Sequence, residues 1–583
     1  MQDHRHIIRT RTPQRWIGLA AMLACIVVAP YPAVASWPTD PTVNLGVCTA
    51  DFDQEFPAIL PDGSGGAFIV WQDYRNESNY QIFAQRVSAD GVAQWGANGI
   101  PICTGTGDQL APHITTDGTG GVIVTWNDTR ALFSDIYCQH LSSNGEILWN
   151  PDGVPVCTAA GPQHDEAVVP DGAGGAIITW WDRRDDASQV IGDIYARRVT
   201  ALGDPIWDAD GVPICVAAGS QQYPMIVPNG AGGAVITWTD ARNGDSNRDI
   251  YAQGVDAGGL RLWTTNGVVL CNAANDQTSA AIVADGSGGA IVAWDDLRSS
   301  EKIYAQRISS AGSVQWTPNG VGMTNSAGET IPSIVSDGAG GAIVAWMDFS
   351  HFPTSQADIR AQRISSAGAA QWSASGVAVC DFAGMQQLPV VTTDGAGGAI
   401  VTWADYRADG LNPDVYARRV TFAGSVLWSA ATKGTPVSTA PETQYLPMIT
   451  TTGSGGAIVT WQDMRNGTTD IYAQRIRSDG DLGGGPVGVG PDAPASVSLD
   501  LVGPNPARSG RIPVRFSLGS GGSGWLELFD VTGRRICARA LNGFSAGTHS
   551  LDLAEGRHLA PGLYLVRLRQ GAGVRVMRVA VLD

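Results

Sequence analysis

The sequence predicts an all-β protein, an eight-bladed β-propeller followed by a C-terminal β-sandwich. Three observations carry this. A stretch typified by Asp171-Gly-Ala-Gly-Gly-Ala-Ile-Ile-Thr-Trp180 recurs eight times, ending at Trp71, Trp126, Trp180, Trp238, Trp294, Trp346, Trp403 and Trp461. Successive spacings are 55, 54, 58, 56, 52, 57 and 58 residues, and a near-fixed period of this size marks a repeat architecture. No stretch has helical periodicity, whereas short β-branched and aromatic runs bounded by glycine turns recur throughout.

Each unit reads as four strands. A short apolar segment, such as Pro57 to Leu60 or Pro224 to Val227, leads into Asp-Gly-x-Gly-Gly. Glycines there allow the positive φ of a tight turn. The apolar run to Trp is the second strand, and Asp-x-Arg with a polar loop follows it. The third strand is typified by Asp470 to Ile476, and a second Gly turn leads to a second Trp (Trp95, Trp149, Trp207, Trp263, Trp316, Trp372, Trp428). Four-stranded units repeated about four to eight times fit a propeller.

Residues 1–35 read as a secretory signal, with Arg5, Arg9, Arg11 and Arg15 ahead of the apolar run Ile17 to Ala29, and Ala33-Val-Ala35 suited to cleavage before Ser36. That run is too short to span a bilayer comfortably, and no other segment is long and apolar enough. The expected location is therefore secreted, extracellular or on the outer cell surface. Residues 36–480 form the propeller. The eighth unit degenerates after Asp479-Gly480, and Trp37 with Val43 to Cys48 supplies what it lacks, so residues 37–48 are expected to give its outer strand. Such closure removes exposed strand edges. Residues 481–496 are a Gly/Pro-rich linker and 497–583 a separate domain.

Without residues 1–35 the chain carries a net charge of −21, and residues 36–490 alone carry −25. That argues against nucleic acid and anionic membrane as partners and is compatible with cations or neutral glycans, and with simple solubility. Cys48, Cys103, Cys157, Cys215, Cys271 and Cys380 share one repeat position, filled elsewhere by Thr324 and Ser438. Equivalent positions in different blades lie too far apart to bond, so free buried thiols in a slot for a small residue are expected. There is no metal-ligand spacing and no cofactor motif.

The turns of the type Ser88-Ala-Asp-Gly-Val-Ala-Gln-Trp95, together with Trp461-Gln-Asp-Met-Arg, resemble the Asp-box (BNR-type) repeats of sialidase-like propellers over residues 37–480. In units 2 to 7 Ala, Asn, Leu or Gly stands at the Asp position. The C-terminal segment carries Gly503-Pro-Asn-Pro506, Leu526-Glu-Leu-Phe-Asp-Val-Thr-Gly-Arg534 and Pro561-Gly-Leu-Tyr-Leu-Val-Arg567. It resembles FlgD-type immunoglobulin-like and type IX secretion sorting domains. That resemblance implies an immunoglobulin-like β-sandwich, export through secretion machinery and surface anchoring. Arg575 and Arg578 stand where the sorting domains commonly have Lys.

A sialidase-like glycoside hydrolase would need an arginine cluster and a Tyr activated by Glu. The Arg of Asp-x-Arg (Arg75 through Arg465) and the Tyr at Tyr137, Tyr195, Tyr251, Tyr304, Tyr416 and Tyr472 recur in nearly every unit and read as framework. His164-Asp165-Glu166 is the one local cluster of ligating types. No catalytic residue is expected, and a binding or scaffold role, with a glycan or surface protein as ligand, stands ahead of the hydrolase alternative. Two sets of ligand-binding candidates follow. Gln54, Gln109, Gln163, Gln221, Gln277, Glu329, Gln386 and Gln444 occupy one position at the entry to each first strand and are expected to converge around the axis, as clips between blades or as a polar collar. The longest loops after Asp-x-Arg follow Arg184 and Ser350, which selects Asp185, Asp186, His351 and Phe352.

Overall fold

The computed structural model describes residues 37–483 except 187, 189, 351–355 and 409, and residues 498–582 except 502–506, 509–510, 519–523, 532–533, 542–546, 555–556 and 571–572. The expected signal peptide, nearly all of the linker, and His351 and Phe352 lie outside the described residues. The chain divides into two compact units, Met1–Gly484 and Gly485–Asp583. Among the described residues there is no helix.

The first unit consists of antiparallel sheets of four or five strands, one sheet for each Trp-ended repeat. In repeat 3 the strands are Gln163–Pro170, Ala176–Asp182, Asp193–Val199 and Val212–Cys215, with a short pairing at Pro205–Ile206. The first strand of each sheet packs on the first strand of the next, and Gln444–Thr451 of repeat 8 packs on Gln54–Pro61 of repeat 1. The first strands therefore surround an axis, the arrangement of a propeller. Seven of the eight second strands are buried along their whole length, as in Ala176–Asp182, and in Ala457–Asp463 only Gln462 is half-buried. That is why the repeat reads as a continuous apolar run rather than an alternation.

The last sheet takes its outer strand from the other end of the chain. Leu45–Cys48 pairs antiparallel with Asp470–Ile476, with Leu45 opposite Ala473 and Gly46 opposite Tyr472. Trp37 plays the part of the second Trp for this sheet. Its indole Nε1 donates to Ala89 O at 3.0 Å, as Trp149 Nε1 does to Ala201 O at 3.0 Å. The ring of Trp149 lies against Gly203, at φ +85°, where an added Cβ would stand 2.8 Å from it. Only glycine tolerates both the dihedral and the approach.

The Asp-Gly turns are self-contained. Asp171 Oδ1 accepts from the N–H groups of Ala173 and Gly175, and Arg198 Nε donates to Oδ2 at 2.9 Å. The second compact unit holds a three-stranded and a five-stranded sheet. They share one apolar core that includes Val514, Phe516, Leu526, Leu528, Val566 and Val579. Arg534 closes on Asp530 at 3.0 Å, and Glu527 is held by Arg535 and Arg567.

Candidate functional site

The framework has to be separated from the site. Trp71 Nε1 donates to Asp73 Oδ2 at 2.7 Å, and Arg75 grips the same carboxylate through Nε at 2.8 Å and Nη2 at 2.5 Å. Nη2 also reaches Cys48 Sγ at 3.1 Å, on the outer strand of the neighbouring sheet, and the guanidinium lies 3.8 Å over Phe83. The same set recurs at Asp128, Asp182, Asp240, Asp296, Asp405 and Asp463. A bidentate Arg–carboxylate pair is among the stronger charge-assisted contacts, and here it joins sheet to sheet. The cysteine slot therefore requires more than small size, because it presents an acceptor to the arginine. Ser438 Oγ does the same for Arg465 at 3.2 Å. The described thiols are free, and burial pushes Cys48 up to about 12.

Repeat 6 builds this joint differently. Ser350 replaces the arginine, and Arg360, which stands in the Tyr position of the third strand, pairs with Asp348 instead. Thr324 fills the cysteine slot and donates its hydroxyl to Glu329, which stands where the other repeats have Gln.

Of the two arrangements expected for the amide ring, the side chains adopt the clip and not the collar. Gln54, Gln109, Gln163, Gln221, Gln277, Gln386 and Gln444 are 0% exposed, as is Glu329, so they form no solvent-facing collar. Each amide Nε2 donates to the carbonyl two residues earlier, at 2.7–3.1 Å, as Gln163 does to Gly161 and Gln221 to Gly219. They pin the crossover from one sheet to the next. The physical reason is the donor supply: a crossover carbonyl sealed from water takes the nearest buried N–H.

The side chains that do reach solvent at this end of the first strands lie two residues further on. Each first strand carries a bulge there. The bulged residues, among them Phe56, Tyr223, Ile331 and Leu388, have φ of 52°, 53°, 56° and 53°. A β-branched residue such as Ile331 in this region is strained. The neighbouring sheet compensates, since Phe56 N donates to Gln462 Oε1 at 3.3 Å, Ala111 N to Gln72 Oε1 at 2.9 Å and Ile331 N to Asp295 Oδ1 at 2.9 Å. Phe56 is 49% and Tyr223 57% exposed. The sequence signal was an apolar residue directly before the first-strand proline, as in Phe56-Pro57, Tyr223-Pro224 and Ile331-Pro332.

Repeat 3 departs most from the pattern. Asp165 and Glu166 replace the apolar residue and its proline. His164 meets the edge of Trp181 with ring centroids 4.8 Å apart, Tyr223 of repeat 4 stands 6.2 Å from Trp181, and Arg183 lies 3.8 Å over it. The loop after Arg184 borders a cavity of about 360 Å³ lined by Asp182, Asp185, Asp186 and Asp193, with Val216 to Gly219 on the facing crossover. Asp186 is committed to its own loop. It accepts from Ile191 N and Val190 N at 2.6 Å and from Ser188, and those bonds hold it well below the usual carboxylate range. Asp185 stands where Asn243 and Asn466 occur in repeats 4 and 8, and those amides donate to Asp249 and Asp470 at 2.6 Å. In repeat 3 a second carboxylate replaces that donor, and burial, then Asp185 and Asp182, push Asp193 up to about 7.

The repeat pattern did not disclose that Tyr80, in the loop of repeat 1, lies within electrostatic reach of Glu55. Burial, then Glu55, Asp53 and Asp108, push its hydroxyl up to about 12. The charged groups acting on it are acids, the opposite of an arginine-supported nucleophile.

No protein-family model matches the chain, and no curated protein matches it. Solved structures do resemble it. A lectin from Burkholderia pseudomallei superposes with a TM-score of 0.40 at 13% identity, over 74% of this chain and 98% of that one. An α-L-arabinofuranosidase from Fusarium graminearum gives 0.33 at 10%, over 75% and 98%. An exo-β-1,3-galactanase from Phanerochaete chrysosporium gives 0.27 at 13%, over 74% and 97%. At this level of likeness, any argument about function rests on the residues of this chain.

Proposed function

We propose that the protein is a secreted or cell-surface, eight-bladed propeller of the Asp-box type that binds neutral glycan at the loop-side mouth of its axial channel. Its C-terminal unit is an immunoglobulin-like module of the FlgD or type IX sorting kind, which engages secretion machinery and anchors the protein. One observation carries the binding role: the bulged first-strand residues expose aromatic and apolar side chains, Phe56, Tyr223 and Ile331, at strained backbone positions around the axis. Exposed apolar clusters rimmed by polar groups mark interaction sites, and aromatic rings offer large flat contact area at low entropic cost. His164 and Asp165 supply the polar rim in repeat 3. The acidic surface of the propeller favours a neutral ligand over an anionic one. A glycan array with the chain lacking residues 1–35, run beside a panel of fluorogenic glycosides, tests this. Glycan binding that weakens at least tenfold in Tyr223→Ala, without turnover, supports a binding module. Turnover would support the glycoside hydrolase reading, and absence of both would refute the proposal.

A further inference from the structure

The wall of the axial channel contains a polar pair that the framework does not need. Glu166 occupies a first-strand position that is proline in six repeats and Ala280 in another. His113, on the adjacent first strand of repeat 2, occupies a position that is Ala, Met or Val in six other repeats and Ser333 in one. The two face each other, with His113 Nδ1 at 3.5 Å from Glu166 Oε1. The Glu166 side chain is 0% exposed, and among the described residues neither of its oxygens has a hydrogen-bond partner. Burying a carboxyl so poorly satisfied costs several kcal/mol, and the other repeats show that a sheet closes without it. The His113 side chain is 49% exposed, on a first strand that packs against the first strands of repeats 1 and 3 around the axis. With Nδ1 turned to the carboxyl, Nε2 is left for the lumen. A carboxylate behind a half-exposed imidazole is the arrangement that fixes a histidine's orientation and tautomer.

We propose that His113, oriented by Glu166, is a hydrogen-bonding contact for a hydroxyl group of a neutral sugar entering the axial channel from the loop side. Nε2 accepts from a hydroxyl when the ring is neutral and donates to one when it is protonated, so a sugar hydroxyl suits it in either state, and its neighbours on that level of the wall offer mainly apolar contact. The electrostatics agree. Burial pulls the His113 imidazolium down, but Glu166, Ala111 O and Asp165 outweigh it and leave the group raised, while burial raises Glu166 against the pull of His113. This inference rests on the glycan-binding reading.

The test uses the chain lacking residues 1–35 and a fixed panel of cellohexaose, xylohexaose, mannohexaose, galactohexaose and arabinohexaose. Calorimetric titration is run on wild type, His113→Ala, His113→Gln and Glu166→Gln, with melting temperatures for each. Ring-labelled histidine NMR on the wild type follows the His113 signal. The expected result is binding of at least one hexasaccharide, a shift of the His113 ring signal on its addition, and at least tenfold weaker binding in His113→Ala, with the melting temperature unchanged or raised in Glu166→Gln. Wild-type binding with an unmoved His113 signal and unchanged affinity in the variants overturns the inference and leaves the mouth as the site. Lowered melting temperature with unchanged affinity assigns the pair to the framework and overturns it as well. Failure of wild type to bind any member overturns both readings.

Discussion

Replacing Glu329 with Gln should make repeat 6 more stable at neutral pH and leave it unchanged in acid. Glu329 is fully buried, and burial pushes its carboxyl up to about 6 from an ordinary 4.5, against the hydrogen bonds of Thr324 and Ile303 N. A carboxyl whose folded value is raised holds its proton longer in the folded chain than in the unfolded one. Its contribution is therefore fully present below about pH 4.5 and is lost as pH rises through about 6. The rise from 4.5 to about 6 corresponds to about 2 kcal/mol between the two limits. Glutamine removes the charge, keeps an acceptor for Thr324 Oγ1 and restores the Nε2 donor that seven other repeats aim at the crossover carbonyl. Urea unfolding followed by tryptophan fluorescence should show Glu329→Gln more stable than wild type by about 2 kcal/mol at pH 8, with the difference vanishing near pH 4. An equal gain at both pH values, or a loss at pH 8, would refute the reasoning.

Three further outcomes are expected. Asp185→Asn restores the amide that repeats 4 and 8 use against the third-strand Asp; Asp193 should then titrate well below about 7, and the melting temperature should rise at pH 8 but not at pH 4. Trp37→Ala removes a fully buried indole from the last sheet and its bond to Ala89 O, and should cost roughly 3–5 kcal/mol, with hydrogen exchange rising first in Asp470–Ile476. Cys271→Ser should change stability by less than about 1 kcal/mol, because Ser438 already serves an arginine in that slot, whereas Cys271→Val should lower the melting temperature by stripping Arg298 of an acceptor.

The sequence by itself determined whatever repeats. Eight Trp-ended runs announced the sheets, the glycine turns announced their geometry, and the truncated eighth repeat pointed to Leu45–Cys48 as its outer strand. Local chemistry sufficed there, because a turn needs its glycine and a strand sealed on both faces needs an unbroken apolar run. Tertiary structure alone decided which side chains face what. The repeating position of the glutamines left clip and collar both open, and their orientation depends on the crossover carbonyls beneath them. Phe56 and Tyr223 reach solvent because a bulge, supported in the case of Phe56 by Gln462 of the neighbouring sheet, turns the backbone to positive φ. Arg360 takes over from the missing arginine of repeat 6 because adjacent strands bring residue 360 beside Asp348. His113 and Glu166 lie 53 residues apart in the chain and meet only when two first strands pack around the axis. A repeat encodes contacts within and between equivalent positions; a departure from it acquires meaning only from the neighbour it is folded against.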